Sequence, residues 1–125
     1  MLFLLCVVLA CVPLCMWAYQ AYGVPHPTLA WDPSTPPDIL TVLSRHEDWT
    51  VRRDVAENPS TPPDVLATLA QDNYRVQRAV SQNPSTPPAT LLFMSKDVSW
   101  IRKFVSRNPS TPYGIWIRTY GRVMP

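Results

Sequence analysis

The side chains in these 125 residues with the chemistry to react or to hold a ligand are three thiols, two imidazoles and a regularly spaced set of cations. Cys6, Cys11 and Cys15 are candidate metal donors, but a cubane iron–sulfur cluster takes four thiolates. On a helix Cys11 and Cys15 share a face and Cys6 points elsewhere. All three lie in hydrocarbon-like sequence, where small apolar packing explains them. His26 and His46 stand apart in unlike contexts and receive no role. No Ser-His-Asp, Cys-His or paired-carboxylate set can be assembled, and Gly23, Gly114 and Gly121 are too scattered for a phosphate-cradling loop. The expectation is a chain without catalytic residues, cofactor or metal, which works by binding.

Two sets of residues are candidates for that binding. Arg53, Arg78 and Lys103 recur at a constant interval of 25 residues. Stacked units would present them as a basic ladder for an anion, an acidic protein or a nucleic acid. Their simpler reading is pairing with Asp48, Asp72 and Asp97, or plain solvation of a helix face. The second set gathers toward the end of the chain, where Trp100, Arg102, Lys103, Tyr113, Trp116 and Arg118 mix aromatic and cationic groups. Residues 32–82 hold five basic and eight acidic side chains, whereas 83–125 hold six basic and one acidic. A basic, aromatic surface of this kind suits a protein partner or a headgroup region, or else folds back as an ordinary end cap. The total charge of +2 and the acidic first half count against nucleic acid.

The elements that must position these groups come from a repeat. Asp32-Pro33-Ser34-Thr35-Pro36-Pro37 returns at Asn58, at Asn83 and, with Tyr113 replacing the last proline, at Asn108. Each unit reads as two short helices. Proline suits a first helical turn, and the Thr before Pro-Pro is the expected N-cap, with Thr35–Asp38 and Thr61–Asp64 at capping-box spacing. The first helices carry Ile39, Leu40 and Leu43, then Val65, Leu66 and Leu69, then Leu91, Leu92 and Met94. The second helices carry Val51 and Val55, Val76 and Val80, and Ile101 and Val105, each pair on one face at i, i+4. Asn-Pro then stops the helix, because a residue before proline avoids the helical region. The first unit has one extra residue, expected near His46 between its helices. A unit of this size cannot bury such a face alone, so the units must stack.

The phrase N-P-S-T-P-P-x-x-L-x-x-L, followed by V-R-x-x-V before the next N-P, resembles the leucine-rich repeat variant family, which is bacterial. The resemblance runs from about Asp32 to Thr119. It implies an all-α fold, a right-handed superhelix in which α-helices alternate with short, sometimes 3₁₀, helices, and it implies no activity. Some relatives carry an iron–sulfur cluster bound by cysteines ahead of their repeats, which makes Cys6, Cys11 and Cys15 worth testing.

Ahead of the repeats, Met1 to Trp31 carries no Lys, Arg, Asp or Glu. A helix over Met1 to Tyr22 would be roughly 33 Å long, enough to cross a bilayer core, with Trp17, Tyr19 and Tyr22 at an interface. The stretch lacks the basic start and small-x-small site of a cleaved signal. Val8-Leu9-Ala10-Cys11 is a third alternative, a degraded lipobox with Cys11 lipidated. The organisation expected is an anchor helix over 1–22, a linker over 23–31 and repeats over 32–125, in units 32–57, 58–82, 83–107 and a partial 108–125. The function expected is a single-pass membrane protein, its repeats leaning cytoplasmic, that docks a protein partner as an accessory or scaffold subunit. The alternative is an anion- or nucleic-acid-binding module using the basic ladder.

Overall fold

A computed structural model describes residues 26–97 and 100–112, and all the regular structure within them is helical. A 3₁₀ helix, Pro27–Ala30, precedes six α-helices: α1 Pro37–Leu43, α2 Trp49–Glu57, α3 Pro63–Leu69, α4 Tyr74–Gln82, α5 Pro88–Asp97 and α6 Arg102–Val105. They form three pairs, α1 with α2, α3 with α4 and α5 with α6. The second helices stack on one another, α2 on α4 and α4 on α6, while the 3₁₀ helix packs on α1 and α2. Residues 27–30, within the segment expected to be a linker, thus pack on the body, with Ala30 wholly buried. The proposed anchor, residues 1–22, lies outside the described residues. Among those described, no helix is long and apolar enough to cross a membrane.

The starts of α1 and α3 depart from the expected device. Their N-caps are Pro36 and Pro62, with ψ of 144° and 146° and no side-chain capping bond. The physical cause is the second proline, which pushes the residue before it into extended backbone while itself fitting the first turn. Asp38 and Asp64 sit in the first turns without closing a capping box. The threonine points the other way. Thr35, Thr61 and Thr86 donate their hydroxyls to the carbonyls of Leu29, Val55 and Val80, at 2.6, 2.5 and 2.6 Å, and Thr111 does the same to Val105. Each threonine therefore serves the last turn of the preceding helix, where carbonyls lack intrahelical partners.

Helices α2 and α4 start on polar caps. Asp48 accepts from the Thr50 amide at 2.9 Å, and Asn73 accepts from Arg75 and Val76 at 3.0 and 3.2 Å. They end at Asn58 and Asn83, whose ψ of 123° is the extended backbone that the following proline demands.

Those same asparagines join the units. The Asn58 amide nitrogen donates to the carbonyls of Ala30 and Asp32 at 2.9 and 2.8 Å. Asn83 donates to Ala56 and Asn58 at 2.7 and 2.9 Å, and Asn108 to Ser81 and Asn83, both at 2.8 Å. Each asparagine oxygen accepts from the amide of the serine two residues on, Ser60, Ser85 or Ser110. The serine hydroxyls reach back as well, to the carbonyls of Pro33, Pro59 and Pro84. Asn-Pro-Ser-Thr is thus a cross-unit hydrogen-bonding device as well as a helix stop. No described side-chain polar atom is buried without a partner.

The apolar core runs beside this ladder. Leu40, Leu43, Leu66 and Leu91 from the first helices and Val55, Val76, Val80 and Val105 from the second are fully buried. Leu92 is the exception among the residues expected in the core. It is 41% exposed beside Phe93 at 48%, and α5 buries Thr90, Leu91 and Met94 instead.

The ladder's contribution is measurable. Asn83 is 3% exposed, and Asn83→Ala removes three hydrogen bonds, those to the carbonyls of Ala56 and Asn58 and that from the Ser85 amide. The expected loss is about 2–4 kcal/mol, read by thermal or urea unfolding followed by circular dichroism. Asn83→Asp should be worse near neutral pH, where the carboxylate cannot donate, and should partly recover in acid as the carboxyl protonates. A loss under about 0.5 kcal/mol for the alanine variant would show that the ladder contributes little net stability.

Candidate interaction surface

The stacked second helices α2, α4 and α6 carry the most distinctive exposed chemistry. Trp49 and Tyr74 open α2 and α4 at equivalent repeat positions. Tyr74 is 58% exposed and meets the edge of Trp100, with ring centroids 6.2 Å apart. Trp100 in turn meets the edge of Phe104 at 6.3 Å, so the three rings form one row across two units. Such edge-to-face pairs are favoured by the ring quadrupole.

Arginines lie on these rings. The Arg75 guanidinium carbon is 4.6 Å from the Trp49 ring centroid and 5.4 Å from that of Tyr74, and its Nε donates to the Tyr74 hydroxyl at 2.7 Å. Arg78 lies 4.9 Å from the Phe104 ring and Arg53 5.6 Å from Trp49. These are cation–π distances. Trp49, Arg53, Tyr74, Arg75 and Arg78 line one open groove along α2 and α4, with Glu57 at its edge.

The three members of the basic column stand in different settings. Arg53 is bound to Asp54 at 2.6 Å and lies 3.9 Å from Glu57, and its pKa is raised chiefly by the hydrogen bond to Asp54. Arg78 is engaged with a ring, and Lys103 is exposed on α6. The column therefore carries alternating environments in place of a uniform positive strip.

Arg52, Gln77 and Arg102, one residue earlier, have a structural role. Each reaches back to a backbone carbonyl near the end of its own unit's first helix: Arg52 to His46 at 2.7 Å, Gln77 to Ala70 at 3.1 Å and Arg102 to Ser95 at 3.0 Å. Arg52 also clamps the next unit through a bidentate pair with Asp72, Nε–Oδ2 at 2.5 Å and Nη2–Oδ1 at 3.1 Å. Pairing between units is thus observed for Arg52 and Asp72, while Asp48 caps its own helix.

Of the C-terminal set, Trp100 stands in the aromatic row, and Arg102 and Lys103 are exposed on α6. Tyr113, Trp116 and Arg118 lie outside the described residues, as does Cys11. Sequence reasoning missed Trp49, Tyr74, Arg75 and Phe104. The usable signal was the aromatic pair 25 residues apart at the first position of each second helix. Among the described residues, no group of three or more His, Cys, Asp or Glu side chains is placed to hold a metal ion.

The Leucine Rich Repeat Variant domain model matches residues 24–82 and again 52–97, more than half of the chain in all. The chain belongs to the leucine-rich repeat variant family. The match takes in the 3₁₀ helix ahead of the first Pro-Ser-Thr phrase, in keeping with the burial of Ala30. No curated protein and no solved structure matches the chain. The family accounts for the repeat.

The Arg52–Asp72 clamp gives a pH test. Hydrogen bonding from Arg52 holds the Asp72 carboxyl below its ordinary 3.8, against a smaller opposing effect of burial. A depressed carboxyl pKa means a contribution present above the ordinary value and lost as pH falls through the folded one. Asp72→Asn should therefore be less stable than the unsubstituted chain near pH 7 by about 1 kcal/mol, and the gap should narrow as pH falls below 3.8. A gap that stays constant in acid would show that packing, rather than charge, sets the loss.

Proposed function

We propose that this chain is a membrane-anchored helical-repeat protein that docks a protein partner, as an accessory or scaffold subunit of a membrane complex. The observation that carries the docking is the aromatic row of Tyr74, Trp100 and Phe104, joined through Arg75 to Trp49, on the outer side of the stacked second helices. Rings and arginines held half-open over three units have the composition of interface centres, where Trp, Tyr and Arg supply most binding energy. The repeats supply rigidity, since every unit is bonded to its neighbour, and a rigid surface binds without ordering costs. In this reading the units continue as the right-handed solenoid typical of the family, with the partial unit after Asn108 completing it.

The anchoring rests on the sequence of residues 1–22, apolar and uncharged with Trp17, Tyr19 and Tyr22 at its edge. It would hold the docking surface beside a bilayer, which suits a partner that is itself membrane-associated and a bacterial, single-pass arrangement. Tyr113, Trp116 and Arg118 extend the candidate contact beyond Trp100. The alternative, a basic ladder gripping phosphates, is weakened because Arg53 is bound to Asp54 and lies close to Glu57.

Co-purification from gently solubilised native membranes tests the reading. A stoichiometric partner should be retained at high salt and lost from a Tyr74→Ser/Trp100→Ser variant whose helicity is unchanged. A chain that emerges alone, or a partner that persists with both rings removed, would overturn it.

A further inference from the structure

Arg75 and Arg78 stand one helical turn apart on α4, where i and i+3 side chains are neighbours. Among the described residues the ion pairs are made by Arg52 and Arg53, and neither Arg75 nor Arg78 forms one, although Glu57 lines the same groove. What holds them is aromatic: Trp49 and Tyr74 for Arg75, Phe104 for Arg78. Stacking uses the flat face of a guanidinium and leaves its in-plane N–H groups to bind. Arg75 is further fixed by donating its Nε–H to the Tyr74 hydroxyl, and its two terminal nitrogens donate to no described residue. The result is a pair of charged forks, held by rings, that make no ion pair with any described carboxylate.

From this we infer that the Arg75–Arg78 pair is a receptor for an acidic segment of the partner protein, which offers two Asp or Glu carboxylates within one turn's reach. The inference rests on the docking reading and names its chemistry. A guanidinium fork matches a carboxylate bidentately, and charge-assisted bonds of this kind are the strong ones. Because the stacked arginines are already ordered, less side-chain entropy is lost when the acid arrives. A continuous phosphate backbone fits less well. Running along the groove it would meet Glu57, which lies 3.9 Å from Arg53. The same carboxylate confines an acidic segment to Arg75 and Arg78, with an apolar or basic residue opposite Glu57.

The test uses the full chain in mild detergent and a fluorescein-labelled octapeptide alternating Glu with Leu, followed by anisotropy. Its Gln-for-Glu counterpart and an oligothymidylate serve as comparisons. The acidic peptide should bind, and Arg75→Gln or Arg78→Gln should each weaken it about tenfold, the loss expected for one charge-assisted contact. Both arginines are exposed, so helicity should not change. Trp49 emission should respond to the peptide in the unsubstituted chain and not in Arg75→Gln. An acidic peptide that does not bind, an amide peptide that binds equally, arginine variants that bind as before, or tighter binding of the oligothymidylate would each overturn the inference. The native partner separates this failure from that of docking. A partner kept by the Arg75→Gln/Arg78→Gln double variant but lost with Tyr74→Ser/Trp100→Ser would leave docking standing and remove the acidic receptor.

Discussion

The amide of one asparagine per unit, bridging two carbonyls 25 to 28 residues back, one at the preceding helix end and one at the turn that follows it, is the interaction on which the stacking depends. Helices packed only by leucine and valine can slide, because apolar burial is non-directional. The bridging amide removes that freedom. Asn83 reaches back 27 and 25 residues, and Asn108 does the same. Asn58 reaches back 28 and 26, one more in each case, because the first unit is one residue longer. The bond is kept and the extra residue is displaced into the turn between α1 and α2, which runs over 44–48. The ladder thus fixes the spacing of the turns, and the loops between helices absorb variation.

This constraint explains why the Asn-Pro-Ser-Thr phrase hardly changes while the helices around it do. Proline sets the asparagine's backbone extended and ends the helix, and the asparagine side chain turns back into the stack. The serine amide and hydroxyl and the threonine hydroxyl then satisfy polar groups that burial would otherwise strand. Asp32 takes the asparagine's place in the first unit. A carboxylate has no N–H to give, and Asp32 instead accepts from both the Ser34 amide and the Ser34 hydroxyl, at 2.9 and 2.6 Å. These two bonds are what lower its pKa. It keeps the turn and gives up the backward grip, so the rung geometry survives where the bridging does not.

Much of this was legible in the residues and part was not. The period, the helix pairs, the proline starts and the Asn-Pro stops follow from local rules, because proline fixes φ and restrains its neighbour in any context. The buried i, i+4 pairs of the second helices were equally plain, since burial follows the helical period. The threonine was misread because two local roles compete for one hydroxyl. Sequence cannot show that the preceding helix ends within its reach, whereas the Pro-Pro that follows already supplies the N-terminal geometry. Leu92 was misplaced because α5 has apolar residues on more than one face, and only packing selects Leu91 and Met94. The asparagine bridges and the Trp49–Arg75 stack join residues more than one turn of chain apart. A hydrophobic period contains nothing about them.

The division of labour between ladder and surface follows from where each group points. Groups that face the turns, Asn58, Asn83 and Asn108, are buried and tied to backbone, so changing one breaks two units at once. Groups that face outward from α2, α4 and α6 touch one another but support no backbone, apart from the carbonyl clamps of Arg52, Gln77 and Arg102. They can therefore vary without loss of the stack, and a repeat family can carry unlike surfaces on one frame. Here that freedom has placed aromatic rings beneath Arg75 and Arg78 in positions where carboxylates would have neutralised them. Nothing in the ladder or the core requires those rings. A stability argument accounts for the asparagines and leaves Trp49, Tyr74, Arg75 and Arg78 over, and residues that a frame does not need are where its function is to be sought.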